Sequence, residues 1–377
     1  MSEVNAQIPN CSSNSGCIRS CNQTELSKRF YFRASFHVSG VTPGVVATGD
    51  GGGADTCCIG RGRAPLPLLK ITEDNESMND KLVELGAALR AVSSGSTVAL
   101  GGSLLRRQPN AAVRELIRNG VRDLTVQTWA ATTAVDMLAA AGALRRYEGI
   151  YVGMFSHGLA PNFRRGVEAG EIEVRDFSET AMVARFRAAS AGLEFMPLKT
   201  LLGSDIARLN PEQFREMRCP FSGASLHAVA AAKADFTVIH GYVGDRYGNV
   251  QWPIVRDTDD IDQMIASSAK RLIVTVEKII PHEEIVRRPT LTYIPGHWVE
   301  AIVEAPYGAH PGACDAHYNE DEARLAEYLT RSRTAEGARE WLDEYVHAPA
   351  SHAAYIEKVG GLAALGALNV TGHGGNV

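Results

Sequence analysis

The sequence predicts an α/β fold, an open and mostly parallel sheet with flanking helices. Three observations carry that expectation. From residue 78 onward, short apolar runs alternate with helix-like stretches of about 10–15 residues, which is the signature of βαβ units. Glycine or proline punctuates most of the junctions, as in TVALGG (97–102) and PNAAVRELIRNG (109–120). The chain has 377 residues, 45% of them apolar, enough to bury a single large core.

The elements follow in order. MNDKLVELGAALRAV (78–92) reads as an amphipathic helix. TVALGG is a strand ending in glycine, and PNAAVRELIRNG a helix with Pro109 at its start and Gly120 at its end. DLTVQTWA (123–130) reads as a strand and TTAVDMLAAAGAL (132–144) as a helix. YEGIYVGMF (147–155) is a strand and LAPNFRRGVEAG (159–170) a helix. IEVRDFS (172–178) is a strand and ETAMVARFRAASAG (179–192) a helix. Later come the strand DFTVIHGYV (235–243), the helix DDIDQMIASSA (259–269) and the strand KRLIVTVEKI (270–279). VGDRYGNVQW (243–252) reads as a hairpin turning on Asp245, Gly248 and Asn249. Two or three helices follow from residue 320 to 368, and 369–377 reads as a disordered tail.

Residues 1–77 differ. They hold five of the seven cysteines (Cys11, Cys17, Cys21, Cys57, Cys58), many Gly and Ser, and little periodicity. The cysteine spacing matches no paired zinc pattern, and no charged segment leads into an apolar core as in a signal peptide. The expectation is a disordered N-terminal extension, with translation starting naturally at Met78 and one domain over 78–368. Cys219 and Cys314 are isolated, which suits a reducing cytoplasm. A net charge of −5 argues against nucleic acid as a partner. No run approaches the roughly 18 apolar residues of a membrane span.

Chemistry is expected beyond the carboxyl ends of the strands, where open parallel sheets bind ligands. VALGGSLLRRQP (98–109) stands at such an end. Gly101 and Gly102 would let a ligand approach the backbone, and free N–H groups there would face an anion or oxyanion. The helix start at Pro109–Asn110 would add its positive dipole end, and Arg106 and Arg107 their charge. The loop suits a phosphate, a pyrophosphate or a thioester oxygen; an ordinary strand-to-helix turn with solvated arginines is the other reading. GxGxxG and the Walker loop are absent.

VALGGSLLRRQP resembles the opening of the first subunit of class I coenzyme A-transferases, with Ser103 and Gln108 where that family often has phenylalanine and glycine. Five further blocks resemble the first subunit of the glutaconate coenzyme A-transferase group, in order: FSHGLAPNFRRGVEAG (155–170), ARFRAASAGLEFMPLKTLLGSDI (184–206), CPFSGASLHAV (219–229), IHGYVGDRYGNVQW (239–252) and VEAIVEAPYGAHPG (299–312). The resemblance spans about residues 80–320.

It implies a CoA-transferase (NagB/RpiA-like) fold and a ping-pong acyl exchange. A glutamate attacks the donor thioester, an acyl-glutamyl anhydride forms, and coenzyme A thiolate then yields an enzyme thioester. In the family that glutamate lies in a Ser-Glu-Asn-Gly motif of the second subunit. This chain has no such motif; its nearest string is Ser178-Glu179-Thr180-Ala181. The resemblance therefore implies a separate second CoA-transferase subunit as partner, in a heterodimer or a dimer of heterodimers, with the active site between subunits. Acyl-CoA and carboxylates would be substrates, with no tightly bound cofactor and no metal, in the cytoplasm. A related branch works as a hydrolase that opens a ring of steroid-derived CoA thioesters, with a first-subunit glutamate as base, and Glu179 matches its position. A non-catalytic acyl-CoA-binding or structural subunit is the third reading.

Other residues have two readings each. His157 holds an acyl carboxylate or oxyanion, or makes a structural hydrogen bond. Arg164, Arg165, Arg185 and Arg187 are candidates for a distal substrate carboxylate, at most one of them serving. Ser222 and Gly223 line the pocket or form a turn, and Gly248 and Asn249 read as turn chemistry. Glu277, on an apolar strand, is expected to meet an arginine. His310 has no metal-ligand spacing with Cys314 or His317.

Overall fold

The computed structural model of the protein describes residues 79–254 and 260–370. The expected extension over 1–77 lies outside them, as does most of the expected tail. α1 (Leu85–Leu89) leads into β1 (Thr97–Ser103), α2 (Asn110–Arg118), β2 (Leu124–Ala131), α3 (Thr133–Ala140), β3 (Leu144–Gly149) and β4 (Tyr151–Val152). Next come α4 (Pro161–Glu168), β5 (Glu173–Asp176) and α5 (Glu179–Ser190). A small insertion holds β6 (Phe195–Leu198), α6 (Asp205–Leu209), β7 (Phe214–Arg218) and β8 (Ser225–Ala230). The chain returns as β9 (Phe236–Gly244), β10 (Val250–Gln251), α7 (Ile261–Ser267), β11 (Leu272–Ile279), α8 (His282–Arg287), β12 (Thr292–Ile294) and β13 (Val299–Glu304). The helices α9 (Glu322–Arg331), α10 (Ala335–Leu342), α11 (His352–Lys358) and α12 (Gly361–Leu365) close it.

The parallel strands lie in the order β13-β11-β9-β1-β2-β3-β5. The chain therefore winds one way from β1 through β5 and the other way from β9 through β13, reversing between β1 and β9. β10 and β12 extend the end of β9 antiparallel, which gives the expected hairpin over 243–252. β1, β9 and β11 are apolar and buried almost throughout, as strands covered on both faces must be. α2 is buried on nearly every side because the C-terminal helices cover it: Arg114 stacks on Tyr355 at 3.6 Å, and Arg118 donates to Val346 O. No helix among the described residues is long and apolar enough to cross a membrane.

Four expectations need correction. The helix expected from Met78 is confined to Leu85–Leu89. Residues before it run extended, since Val83 N–H donates to Ile302 O and Ile302 N–H to Lys81 O. The open edge of β13 captures a segment whose helical spacing alone could not hold it. The strand expected over 147–155 breaks after Gly149: β4 shifts to the end of β2, and Phe155–His157 is a 3₁₀ turn with Phe155 at φ 51°. The antiparallel sheet β6-β8-β7 was not anticipated. Finally, residues 369 and 370 of the expected tail are tied to the fold, because Val370 N–H donates to His317 O and Asn369 accepts from Tyr307 OH.

Candidate active site

β1 ends at the point where the strand order reverses, the crevice that open α/β sheets use for ligands. Gly101 and Gly102 stand there. A Cβ on Gly101 would meet Ile239 Cγ2 at 2.6 Å and Asp262 Oδ1 at 2.7 Å. Gly102 lies at φ +83°, and a Cβ on it would press within 2.7 Å of the backbone of Arg106 and Arg107. Both glycines are required by the loop's own packing.

The expectation of free loop amides is corrected by their partners. Gly102 N–H donates to Asp262 Oδ1 at 2.6 Å. Ser103 N–H donates to Arg106 O, Leu104 N–H to Ala130 O, Arg106 N–H to Ser103 O and Arg107 N–H to Ala313 O. The start of α2 is covered too: Ala111 N–H donates to Gly308 O, and the Asn110 side chain to Ala309 O. The segment following β13 folds over the loop and takes the place foreseen for an anion.

The two adjacent arginines part company. Arg106 has a side chain 49% exposed and lies 3.4 Å from Asp315. Arg107 is 2% exposed, and its Nε donates to Asp262 Oδ2 at 2.8 Å while Nη1 pairs with Asp315. Burial works against the charge on Arg107, but the carboxylates of Asp262 and Asp315 outweigh it and hold the guanidinium well above its ordinary value. One carboxylate, Asp262, thus fixes both the Gly102 amide and Arg107.

Farther along the same carboxyl ends the surface is open. Phe155 and Leu159 are 64% and 60% exposed, and His157 between them is half-buried. Glu179 begins α5, after β5, exposed and with Ser178 capping the helix. Among the described residues no hydrogen bond or ion pair engages the Glu179 carboxylate. Arg185 is elsewhere engaged: buried, it pairs with Glu148 at 2.9 Å, packs 4.2 Å over Phe177 and donates to Ala230 O. It ties α5 to β3 and the small sheet, so it is not free for a substrate carboxylate. Arg164 pairs with Glu168, Arg165 bonds Asn162 and Ser332, and Arg187 is exposed. Ser222 and Gly223 lie in the exposed β7–β8 turn beside Phe221, which is 97% exposed. Gly248 and Asn249 form the hairpin turn, Asn249 bonding Asp245 and Gly296.

Glu277 corrects another expectation. It meets no arginine: His240 Nε2 lies 2.6 Å away, Tyr318 OH donates to it at 2.8 Å and Tyr307 N–H at 2.6 Å. His310 pairs with Tyr355 and Asp321. The sequence reading missed Asp262 and Asp315. Asp262's signal is a carboxylate in the first turn of a helix, and nothing in the sequence ties it to a loop 155 residues away.

A family model described as coenzyme A transferase matches residues 83–305. The chain belongs to the coenzyme A transferase family. It is 34% identical over 291 residues to the first (A) subunit of glutaconate CoA-transferase of Acidaminococcus fermentans, covering 73% of this chain and 90% of that protein. It is 31% identical over 281 residues to the cholesterol ring-cleaving hydrolase IpdA subunit of Rhodococcus jostii, covering 72% of this chain and 93% of that protein. The crystal structure of glutaconate coenzyme A-transferase from Acidaminococcus fermentans matches with a TM-score of 0.72 and 33% identity, covering 77% of this chain and 96% of that one. In this coenzyme A transferase chain, the glycine loop and the open edge through Glu179 both fall inside the matched segment.

Proposed function

We propose that the protein is the first subunit of a heteromeric coenzyme A-transferase that moves coenzyme A from an acyl-CoA to a carboxylic acid, in the cytoplasm. One observation carries the reading. The chain matches the first subunit of glutaconate CoA-transferase along 90% of that protein, yet holds no Ser-Glu-Asn-Gly motif. The nucleophile then belongs to a second subunit, and the site is completed between the two.

The partner's carboxylate attacks the acyl carbonyl and expels coenzyme A thiolate, leaving a mixed anhydride. The thiolate attacks the glutamyl carbonyl, releases the acyl group as a carboxylate and leaves a glutamyl thioester. The acceptor acid reverses both steps. This chain's part is to hold and orient. The glycine loop is a rigid wall, Arg106 offers a half-exposed cation near the switch point, and Phe155 and Leu159 offer apolar surface to an acyl chain or to the partner. His157 stands beside them as a donor for a carboxylate or oxyanion. Free thiols at Cys219 and Cys314 agree with a reducing compartment.

A second reading is favoured by Glu179, whose exposed carboxylate stands at the carboxyl end of the sheet with no partner among the described residues. There the protein is the first subunit of a ring-opening acyl-CoA hydrolase, with Glu179 activating water. The experiment is co-expression of the full chain with its second subunit and assay of acyl-CoA donors with and without acceptor acids. Coenzyme A transfer that requires an acceptor supports the transferase. Consumption of a cyclic acyl-CoA without acceptor, abolished in Glu179→Gln, would replace it with the hydrolase.

A further inference from the structure

Beneath the segment that covers the glycine loop, three buried side chains converge, and a fourth, His317, stands 48% exposed at their rim. His240 on β9 and Glu277 on β11 share one face of the sheet: His240 is in register with Thr275, two residues before Glu277. Cys314 descends from the covering segment. The ligand atoms of His240, Glu277 and Cys314 lie within 4.8 Å of one another, and all three residues are buried. His317 follows on the same turn as Cys314, closed by His317 N–H to Cys314 O at 2.9 Å, and its Nε2 is 3.8 Å from Glu277 Oε2.

Hydrogen accounting at His240 admits a cation. Its Nδ1 is 2.9 Å from Thr275 Oγ1, and that hydroxyl donates to Ile239 O at 3.2 Å. While that hydroxyl donates to Ile239 O it accepts from Nδ1–H, and a neutral ring turns a bare Nε2 lone pair inward; when it donates to Nδ1 instead, Nε2–H is left for Glu277. In the first arrangement Nε2 and Glu277 Oε1, 2.6 Å apart, are two acceptors for a proton or a metal ion; in the second they form an ordinary hydrogen bond. An outer hydrogen bond on one nitrogen with the other turned inward is how metal-bound histidines are held. Tyr307 N–H and Tyr318 OH orient Glu277 in the same way. Imidazole, carboxylate and thiolate together form a zinc-type donor set.

We propose that His240, Glu277, Cys314 and His317 bind one divalent cation of the zinc class, stapling the covering segment to the sheet. The charges balance. Binding releases the Cys314 thiol proton and leaves Nε2 of His240 unprotonated, so one thiolate and one carboxylate neutralise the dication. The staple acts on the loop through the covering segment, because Ala313 O accepts from Arg107 N–H and Asp315 pairs with Arg107.

The test uses the full chain, purified without chelators or metal-affinity resins. Its metal content is measured by plasma mass spectrometry, and the metal-stripped protein is titrated with Co²⁺. We expect one tightly held equivalent, and a near-ultraviolet thiolate-to-cobalt band that disappears in Cys314→Ala while circular dichroism shows an unchanged fold. Thr275→Val, which removes the outer hydrogen bond together with the hydroxyl's bond to Ile239 O, is expected to weaken Co²⁺ binding by about 10–100-fold. Absence of bound metal together with absence of the cobalt band in the native chain would overturn the proposal and leave a hydrogen-bonded His240–Glu277 pair. A band that survives Cys314→Ala would overturn it as well.

Discussion

Two stretches of the same carboxyl edge behave in opposite ways. At the end of β1, the loop amides and the Arg107 guanidinium are bound inside the protein, to Asp262, Ala130, Ala313 and Asp315. At the ends of β4 and β5, Phe155, Leu159 and Glu179 stand open, with His157 half-buried among them. The basic glycine loop that looks most like a ligand cradle in the sequence is built as scaffold. The open surface, which the proposed function gives to a substrate or a second subunit, lies one to three strands away. Conformation at the first stretch is fixed by charge and packing; at the second, side chains face solvent.

Substitutions can break that contrast. The largest expected effect is Arg107→Ala, which strands the buried carboxylate of Asp262 and should cost about 3–5 kcal/mol, read as a fall in denaturation midpoint. Gly102→Ala comes next. It forces a Cβ into the Arg106–Arg107 backbone at positive φ, for a loss of about 1–3 kcal/mol. A midpoint unchanged by either variant would mean that the loop is not the rigid half.

Acid sharpens the same point at the C-terminal helices packed over α2. His352 donates from Nε2 to Pro306 O at 2.7 Å. Burial, then the nearby charge of Arg114, push its imidazole from 6.5 down to about 3. The hydrogen bond to Pro306 O works the other way and is outweighed, with His240 and Arg118 adding to the downward push. The folded state keeps His352 neutral while the unfolded chain takes up a proton below about 6.5, so this contribution to stability is complete above that pH. It is lost progressively as pH falls toward 3. His352→Gln should flatten that part of the stability profile, measured by denaturant titration across pH.

The smallest stability effects belong to the open stretch. Glu179→Gln and Phe155→Ala should each change stability by no more than about 0.5 kcal/mol. Any effect on the assembled enzyme should then appear in turnover or KM. A large stability loss in either would erase the distinction between the two stretches.

The alternation of apolar runs and helices was legible because each segment's period reports its own surroundings, and nearly every βαβ element from 97 to 192 stands where the pattern puts it. The segment before α1 was not legible, since what straightens it is the edge of β13 more than 200 residues later. The small antiparallel sheet was hidden for a related reason: FREMR and FMPL lack clean alternation, and their half-exposed strands are held by pairing with β8. At the candidate site, the glycines were legible as a special backbone, but their purpose was not. Gly102 faces Asp262 across 160 residues, and a sequence shows a carboxylate without its address. Arg185, on α5, looked like a substrate anchor for the same reason: its partner Glu148 lies on β3, 37 residues earlier.

The central claim is that this chain orients the acyl exchange and a second subunit carries the nucleophile. The most direct measurement is to incubate the assembled complex with an acyl-CoA, reduce the enzyme thioester with borohydride, and map the modified peptide by mass spectrometry. The account predicts a reduced glutamate on the second subunit and none on this chain, with Glu179→Gln modified to the same extent as the native complex. A modified glutamate on this chain, at Glu179 or elsewhere, would contradict it.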